Sequence, residues 1–444
     1  MTSIPEVATA MQGVLNDLAR QAGQQSGFVQ RQSKLGGAEW AQTLVFGFLA
    51  NPQATLEELA QTAAAVGVRI SPQGLQERFG PAAAECLRQV LVQAVQIGLR
   101  AEAQVLLPLW RHFQGVYVQD SSTISLPAAL AEVWPGCGGG HSPQDGRAAL
   151  KVQVQWELQA GQLTALQLQP GRAQDRTAGP QLETLPAGAL CLADLGYFSL
   201  DRLGTQSARQ IYWLTRVQAC THVMDAAGQN WSLPEWLRRQ ASFPVDQPVR
   251  LGVQHQLPCR LLARRVSPAV ATARRRRLRA EARRRGQTVS ADRLALADWE
   301  VLATNVPAEW LSLAQAWELA RVRWQIELLF KLWKSHGQVD ESRSDKPWRI
   351  LCEVYAKLLG QLIQHWLLVL TCWVYPDRSL TKAAQTIRKQ AFHLASVLGD
   401  RPGLHAALAL LQRCLACGAR LNKRKAAPST YQRLLACPLA QPLA

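Results

Sequence analysis

The stretch GALCLAD, residues 188–194, constrains the fold more than any other. It is nearly all apolar, too short for an ordinary helix, and it stops at a carboxylate, as a strand buried at the centre of a sheet does. Its surroundings have the period of strands. GVYVQD alternates and ends on Asp120; KVQVQWEL (151–158) alternates and turns through AGQ into LTALQLQ (163–169), which reads as a hairpin; QIYWLTRV (210–217) reads as one more strand. Strands in the middle of the chain and helices after them imply an α/β or α+β core built on one sheet.

The flanks are helical in pattern. In TLEELAQTAAAVGVRISPQGLQERFG (55–80), Thr55 and Glu58 form a capping box, Leu56, Leu59 and Ala63 repeat at helical spacing, and Gly67 stops the helix. Ser71 and Pro72 then open a second short helix. This helix, turn, helix unit suits DNA, to which it offers Arg69, Gln73, Gln76 and Arg78, and equally suits a plain helical hairpin. Near the end, WRILCEVYAKLLGQLIQHWLLVLTCW (348–373) reads as a long helix, with further helices before a basic tail at NKRKAAPS.

Charge narrows the choice of partner. The 444-residue chain carries a formal charge of +17, which favours polyanions and nucleic acid above all. No apolar run is long enough to span a bilayer, and the first residues lack the features of a signal peptide, so the expectation is a cytoplasmic protein with no membrane partner. Ten scattered cysteines, several inside apolar runs, suit reduced core thiols better than a disulfide framework. Cys414 and Cys417 form one CxxC, which reads as a helical core pair rather than a zinc site because no second pair accompanies it. Residues 218–306 differ in composition. They hold short strand-like pieces, a closing strand WEVLATNV (299–306) and the run ARRRRLRAEARRRG (273–286). Between 250 and 293 stand 13 arginines and no lysine against Glu281 and Asp292, a local excess of 11 positive charges. That segment is expected to face DNA, the alternative being a solvated basic helix.

ARVRWQIELLFKLWKS (320–335) reads as one helix. At about 100° per residue, with Arg323 at zero, Lys334 falls near 20°, Glu327 near 40° and Lys331 near 80°, a narrow charged stripe. Trp324, Ile326, Leu328, Leu329, Phe330, Leu332 and Trp333 fill the remaining arc, so the expectation is a helix buried on most sides with one polar seam. Asp120, Asp194 and Glu327 thus come from three separate elements. If they converge, three carboxylates can hold a pair of hard divalent cations, the arrangement that supports in-line phosphoryl transfer. Singly, each has a plainer reading as turn former, helix cap or salt-bridge partner.

Taken together, DSST, DLGYF, LATNVP and RWQIELLFKLWKS resemble the DDE transposases of bacterial insertion sequences, in particular the insertion-sequence-four family with its Tyr-x2-Arg-x3-Glu-x6-Lys signature. The resemblance runs from about residue 25 to 430. It implies a ribonuclease-H-like α/β core interrupted by a β-rich insertion, with helical domains at both ends. The boundaries are then 1–110 for the N-terminal DNA-binding domain, 111–217 and 307–375 for the two parts of the core, 218–306 for the insertion and 376–444 for the C-terminal domain. In that fold the first and fourth strands are neighbours, which would bring Asp120 and Asp194 together. The resemblance further implies that Asp120, Asp194 and Glu327 bind Mg²⁺, with Mn²⁺ as a substitute, and that Arg323 and Lys334 contact DNA at the terminal inverted repeats. Lys331 joins them because it lies on the same stripe. Arg216 matches a basic DNA-facing position, and Trp299 can stack on an unpaired base or simply belong to the core. The implied activity is cleavage at the element's own ends and joining to target DNA by a homodimer bridging two ends, close to the nucleoid. One departure stands out: Ala320 occupies the place of the signature Tyr. It leaves room for a transposase-derived DNA-binding protein that does not cut. A different metal-dependent nuclease on the same fold is disfavoured by the long arginine-rich insertion.

Overall fold

The computed structural model describes residues 3–31, 34–101, 107–138, 147–175, 185–373, 375, 378–421 and 434. The architecture is mixed α/β, and the chain divides into two compact units. The first comprises Met1–Val105, Asp120–Ala173 and Gln325–Ala427; the second comprises Leu106–Gln119, Gln174–Trp324 and Pro428–Ala444. Strand β1, Val116–Leu126, begins in the second and continues in the first.

In the first unit, helices Ile4–Gln12, Ala19–Gln25, Gly37–Ala50, Leu56–Ala65, Pro72–Gln76 and Pro81–Ala94 precede the strands. Helices Ala19–Gln25 and Gly37–Ala50 cross so closely that a Cβ on Gly37 would meet the Ala19 carbonyl oxygen at 2.1 Å. The helix, turn, helix unit forms as expected. Thr55 closes a capping box with Glu58, Gly67 turns at φ +89°, and Ser71 caps Pro72–Gln76. Its second helix is only five residues long, and Gln76 is held by Arg349 at 2.8 Å.

Strands β2, Ala148–Glu157, and β3, Leu163–Pro170, form the expected antiparallel hairpin. Every residue of β2 is buried, the glutamines included, so its alternation does not mark a solvent face. Gly161 makes the turn at φ +75°, and its carbonyl accepts hydrogen bonds from Trp156 Nε1 (3.1 Å) and His365 Nε2 (2.6 Å). His365 lies on Pro347–Thr371, a 25-residue helix buried over most of its length against Gly37–Ala50, Pro81–Ala94 and Leu380–Val397. The last of these is followed by Arg401–Cys417. The tail at NKRKAAPS lies outside the described residues.

The second unit is a mixed sheet in the order β1-β4-β5-β10-β9-β8-β6-β7. Its strands after β1 are β4 Leu190–Ala193, β5 Tyr212–Arg216, β6 His222–Met224, β7 Asn230–Ser232, β8 Val245–Leu251, β9 Leu257–Arg265 and β10 Trp299–Thr304. β1, β4 and β5 are parallel, and the rest pair antiparallel. The apolar β4 sits between two parallel neighbours, which is why both its faces are apolar. Helix Leu200–Ala208 connects β4 to β5. Between β9 and β10 the arginine run forms the helix Pro268–Arg284.

The nine described cysteines carry free thiols. Burial pushes the thiols of Cys86 and Cys259 up to about 12, so both are inert core groups. Among the described residues no helix is long and apolar enough to cross a membrane.

Candidate active site

The register of β1 on β4 in the second unit runs from Val116 opposite Leu190 to Gln119 opposite Ala193. The residue that follows each of the last two partners is an aspartate, Asp120 on one chain segment and Asp194 on the other. Asp194 caps the short 3₁₀ turn Leu195–Tyr197 through its backbone alone, so its carboxylate is not used up in capping. Arg323 approaches it, with Nε 3.7 Å from Oδ1, an ion pair too long for a hydrogen bond.

Asp120 departs from the expectation of a strand end. β1 continues six residues beyond it to Leu126, because Ser-Ser-Thr-Ile-Ser-Leu is as compatible with a strand as with a turn. Asp120 Oδ1 accepts from the backbone N–H of Ser121 at 2.8 Å. Three residues further along the same strand, the carbonyl of Thr123 accepts a 2.9 Å hydrogen bond from Lys334 Nζ, which also stands 3.7 Å from Asp340. This bond ties the helix Trp324–Ser335 to β1 within the first unit. Stepping back from it, three residues of strand span about 10 Å and end at Asp120. Seven residues of helix also span about 10 Å, nearly two full turns, and end at Glu327 on the Lys334 face.

The segment 320–335 is not one helix. Leu313–Val322 ends, Arg323 sits at a turn, and Trp324–Ser335 begins. Arg323 keeps right-handed helical torsions (φ −48°, ψ −35°), so the stripe survives while the hydrogen-bond ladder is interrupted. The apolar arc is also narrower than expected. Ile326, Leu329, Phe330, Leu332 and Trp333 are buried, but Trp324 is 54% and Leu328 40% exposed. Both flank the charged stripe on the wheel, and that proximity is the sequence signal for them; counting apolar residues hides it. Glu327 is half-buried and Lys331 exposed.

Arg216, the last residue of β5, is exposed and lies opposite Leu302 of β10. Trp299 begins β10 and is 8% exposed, packed in the second unit's core with Phe243 at 4.8 Å and the Arg265 guanidinium over its ring. Ala320 is half-buried, and nearby Trp317 is covered by the guanidinium of Arg264, 4.3 Å from its ring centre.

Three carboxylates are a hard-oxygen donor set of the type that suits Mg²⁺ or Mn²⁺. Among the described residues no group of three or more His, Cys, Asp or Glu side chains is drawn together as a ready metal site. The positive charge beside Asp194 is supplied by Arg323.

The sequence pattern described as "Transposase DDE domain" matches residues 111–362. The transposase for insertion sequence element IS231F of Bacillus thuringiensis subsp. israelensis is 30% identical over 370 residues, covering 78% of this chain and 75% of that protein. The transposase for IS231B of Bacillus thuringiensis subsp. berliner is 28% identical over 373 residues, covering 79% and 76%. That for IS1151 of Clostridium perfringens is 23% identical over 364 residues, covering 76% and 75%. The pattern spans more than half of the chain and includes both aspartates and Glu327, so the chain belongs to the DDE transposases of insertion sequence elements.

Proposed function

We propose that this transposase nicks DNA at the terminal inverted repeats of its own element and joins the freed ends to target DNA, with Asp120, Asp194 and Glu327 holding the divalent metal. The observation that carries the reading is the pairing of Gln119 with Ala193, since an aspartate follows each of the two partners in the chain. The Lys334–Thr123 hydrogen bond, which holds the helix bearing Glu327 against the strand bearing Asp120, supports it. When bound, Mg²⁺, or Mn²⁺ in its place, supplies positive charge to the phosphate under attack and to the departing oxygen.

The residues of the chain do the positioning. Arg323, Lys331 and Lys334 grip phosphates flanking the scissile bond, and Arg216 meets the backbone from the end of β5. Trp299, whose ring already carries Phe243 and the Arg265 guanidinium, is the candidate to stack on an unpaired base. Water attacks the first phosphate, the P–O3′ bond breaks and a 3′-hydroxyl is released. That hydroxyl then attacks a target phosphate as the P–O3′ bond there breaks and the departing oxygen takes up a proton. One phosphodiester is exchanged for another, so joining needs no external energy source.

In this reading β1, β4 and β5 with the β2–β3 hairpin form a ribonuclease-H-like core, residues 218–306 form its insertion, and the terminal helical segments bind DNA. The chain falls in the insertion-sequence-four group with Ala320 at the signature Tyr position, and it works as a homodimer on two paired ends.

The test is nicking of DNA carrying the gene's own flanking repeats, with and without Mg²⁺, by wild type, Glu327→Ala and Ala320→Tyr. Metal-dependent nicks at the repeat ends that vanish in Glu327→Ala are expected. Undiminished cutting by Glu327→Ala would sink the assignment of that residue. Binding without cutting in wild type, rescued by Ala320→Tyr, would place the defect at Ala320.

A further inference from the structure

The helix Pro268–Arg284 sorts its arginines by face. On the inner face Arg274 donates to the Trp299 carbonyl at 2.9 Å and to Glu300 at 3.0 Å, and Arg275 pairs with Asp298. Arg264 of β9 grips the other oxygen of Glu300 at 2.7 Å, and Ala271 is fully packed beneath the helix. These arginines act as a brace. Arg276, Arg277, Arg279, Arg283 and Arg284 are all exposed. At about 100° per residue they occupy one continuous arc of about 160° on the side away from Arg274 and Leu278. Among the described residues none of the five has a carboxylate partner; the helix's one acid, Glu281, pairs with Arg285 at 2.9 Å.

We infer that this outer arc grips duplex DNA through the phosphate backbone without reading sequence. The five guanidiniums lie within nine residues, about 12 Å of helix. Duplex DNA carries about one negative charge per 1.7 Å of axis, so the same length presents about seven phosphate charges, counted over both strands, to the five guanidiniums. The rest of the arc is Ala269, Thr272, Ala273 and Ala280, with no Asn or Gln to read adenine and no aromatic side chain to stack on bases, and comparison of two duplexes tests whether any guanidinium reads guanine. The inference rests on the chain acting on DNA and is independent of the metal-binding assignment.

The experiment measures binding of the full-length protein to a labelled duplex of arbitrary sequence and to the element's own end. It is done in chelator, so that no cleavage intervenes, across a series of salt concentrations. The variant replaces Arg276, Arg277, Arg279, Arg283 and Arg284 by Gln; a control replaces them by Lys. Each phosphate contact contributes about 0.9 to the slope of log affinity against log salt. The Gln variant is expected to lose up to about 4.5 units of slope and at least tenfold in affinity for both duplexes, and the Lys variant to lose little. An unchanged slope in a Gln variant of normal thermal midpoint overturns the inference, and a loss confined to the end duplex overturns sequence independence. If the Gln variant fails to fold, the Lys variant decides. Saturating duplex should shield the five introduced amines from acetylation, and full acetylation in its presence overturns the proposal. Binding that behaves as expected alongside absent nicking would refute the catalytic reading while leaving this surface in place.

Discussion

Arg323 stands with its Nε 3.7 Å from a carboxylate oxygen of Asp194, at the interruption between two helical segments. A partly exposed ion pair at this distance contributes under about 1 kcal/mol to stability. Replacing Arg323 by Ala should therefore leave the thermal midpoint nearly unchanged while lowering the nicking rate on end DNA at least tenfold. A fall in midpoint as large as that of a core mutant would recast Arg323 as structural.

The three acids are expected to separate binding from chemistry. Asp120→Ala, Asp194→Ala and Glu327→Ala should each abolish nicking in Mg²⁺ while end-DNA affinity measured in chelator changes less than about threefold. Persistent nicking by any one of them would remove that residue from the proposed set.

Glu353 is 2% exposed and accepts from Arg349 Nε at 3.0 Å and from the Ser342 hydroxyl at 2.6 Å. Removing one partner of a buried pair leaves the other charge uncompensated and costs about 3 to 5 kcal/mol. Glu353→Ala should shift the urea midpoint accordingly. Arg349→Met together with Glu353→Leu should recover part of the loss, since the Arg349 charge is no longer stranded, while buried Lys357 still loses its neighbouring carboxylate. Equal instability of the single and double variants would count against this account.

His365 donates Nε2–H to the Gly161 carbonyl, and burial lowers its pKa to about 4. The unfolded chain, with an ordinary imidazole near 6.5, binds the proton first, so the folded state loses ground as pH falls. The contribution is complete above about 6.5 and is lost progressively down to about 4, roughly 3 kcal/mol in total. In His365→Gln, urea unfolding should lose much of its pH dependence between those limits. An identical pH profile in variant and wild type would assign the acid sensitivity to other groups.

Gly161 itself combines φ +75° with a ring of Trp373 only 2.5 Å from where a Cβ would be. Gly161→Ala should cost about 1 to 3 kcal/mol by the same unfolding measurement, through strain and displaced packing. A neutral effect would mean that the turn relaxes freely.

Where local pattern decides structure, the sequence is readable. The apolar run before Asp194, the 151–169 hairpin, the capping box at Thr55 and the N-cap at Ser71 involve neighbours in the chain, and all form as their residues suggest. Misreadings arise where distant partners decide. Asp120 looks like a strand end because Asp-Ser-Ser resembles a turn, yet β1 continues. The interruption at Arg323 leaves no mark in composition, since Ala320 to Lys331 contains neither Gly nor Pro. Trp324 and Leu328 count as core when apolar residues are tallied without regard to their place beside the charged stripe. The arginine run gives no hint of its division into two faces, because Asp298 and Glu300 lie beyond the helix in sequence.

That division bears on the thermodynamics of binding. A basic tail, such as a run of lysines at a chain end, must be ordered when it meets a polyanion and loses part of its Coulombic gain to that ordering. A helix held down by Glu300 and Asp298 has already undergone that ordering during folding. Its association should therefore show a small conformational entropy penalty and a heat capacity change too small for coupled folding, even though both kinds of surface carry the same charge.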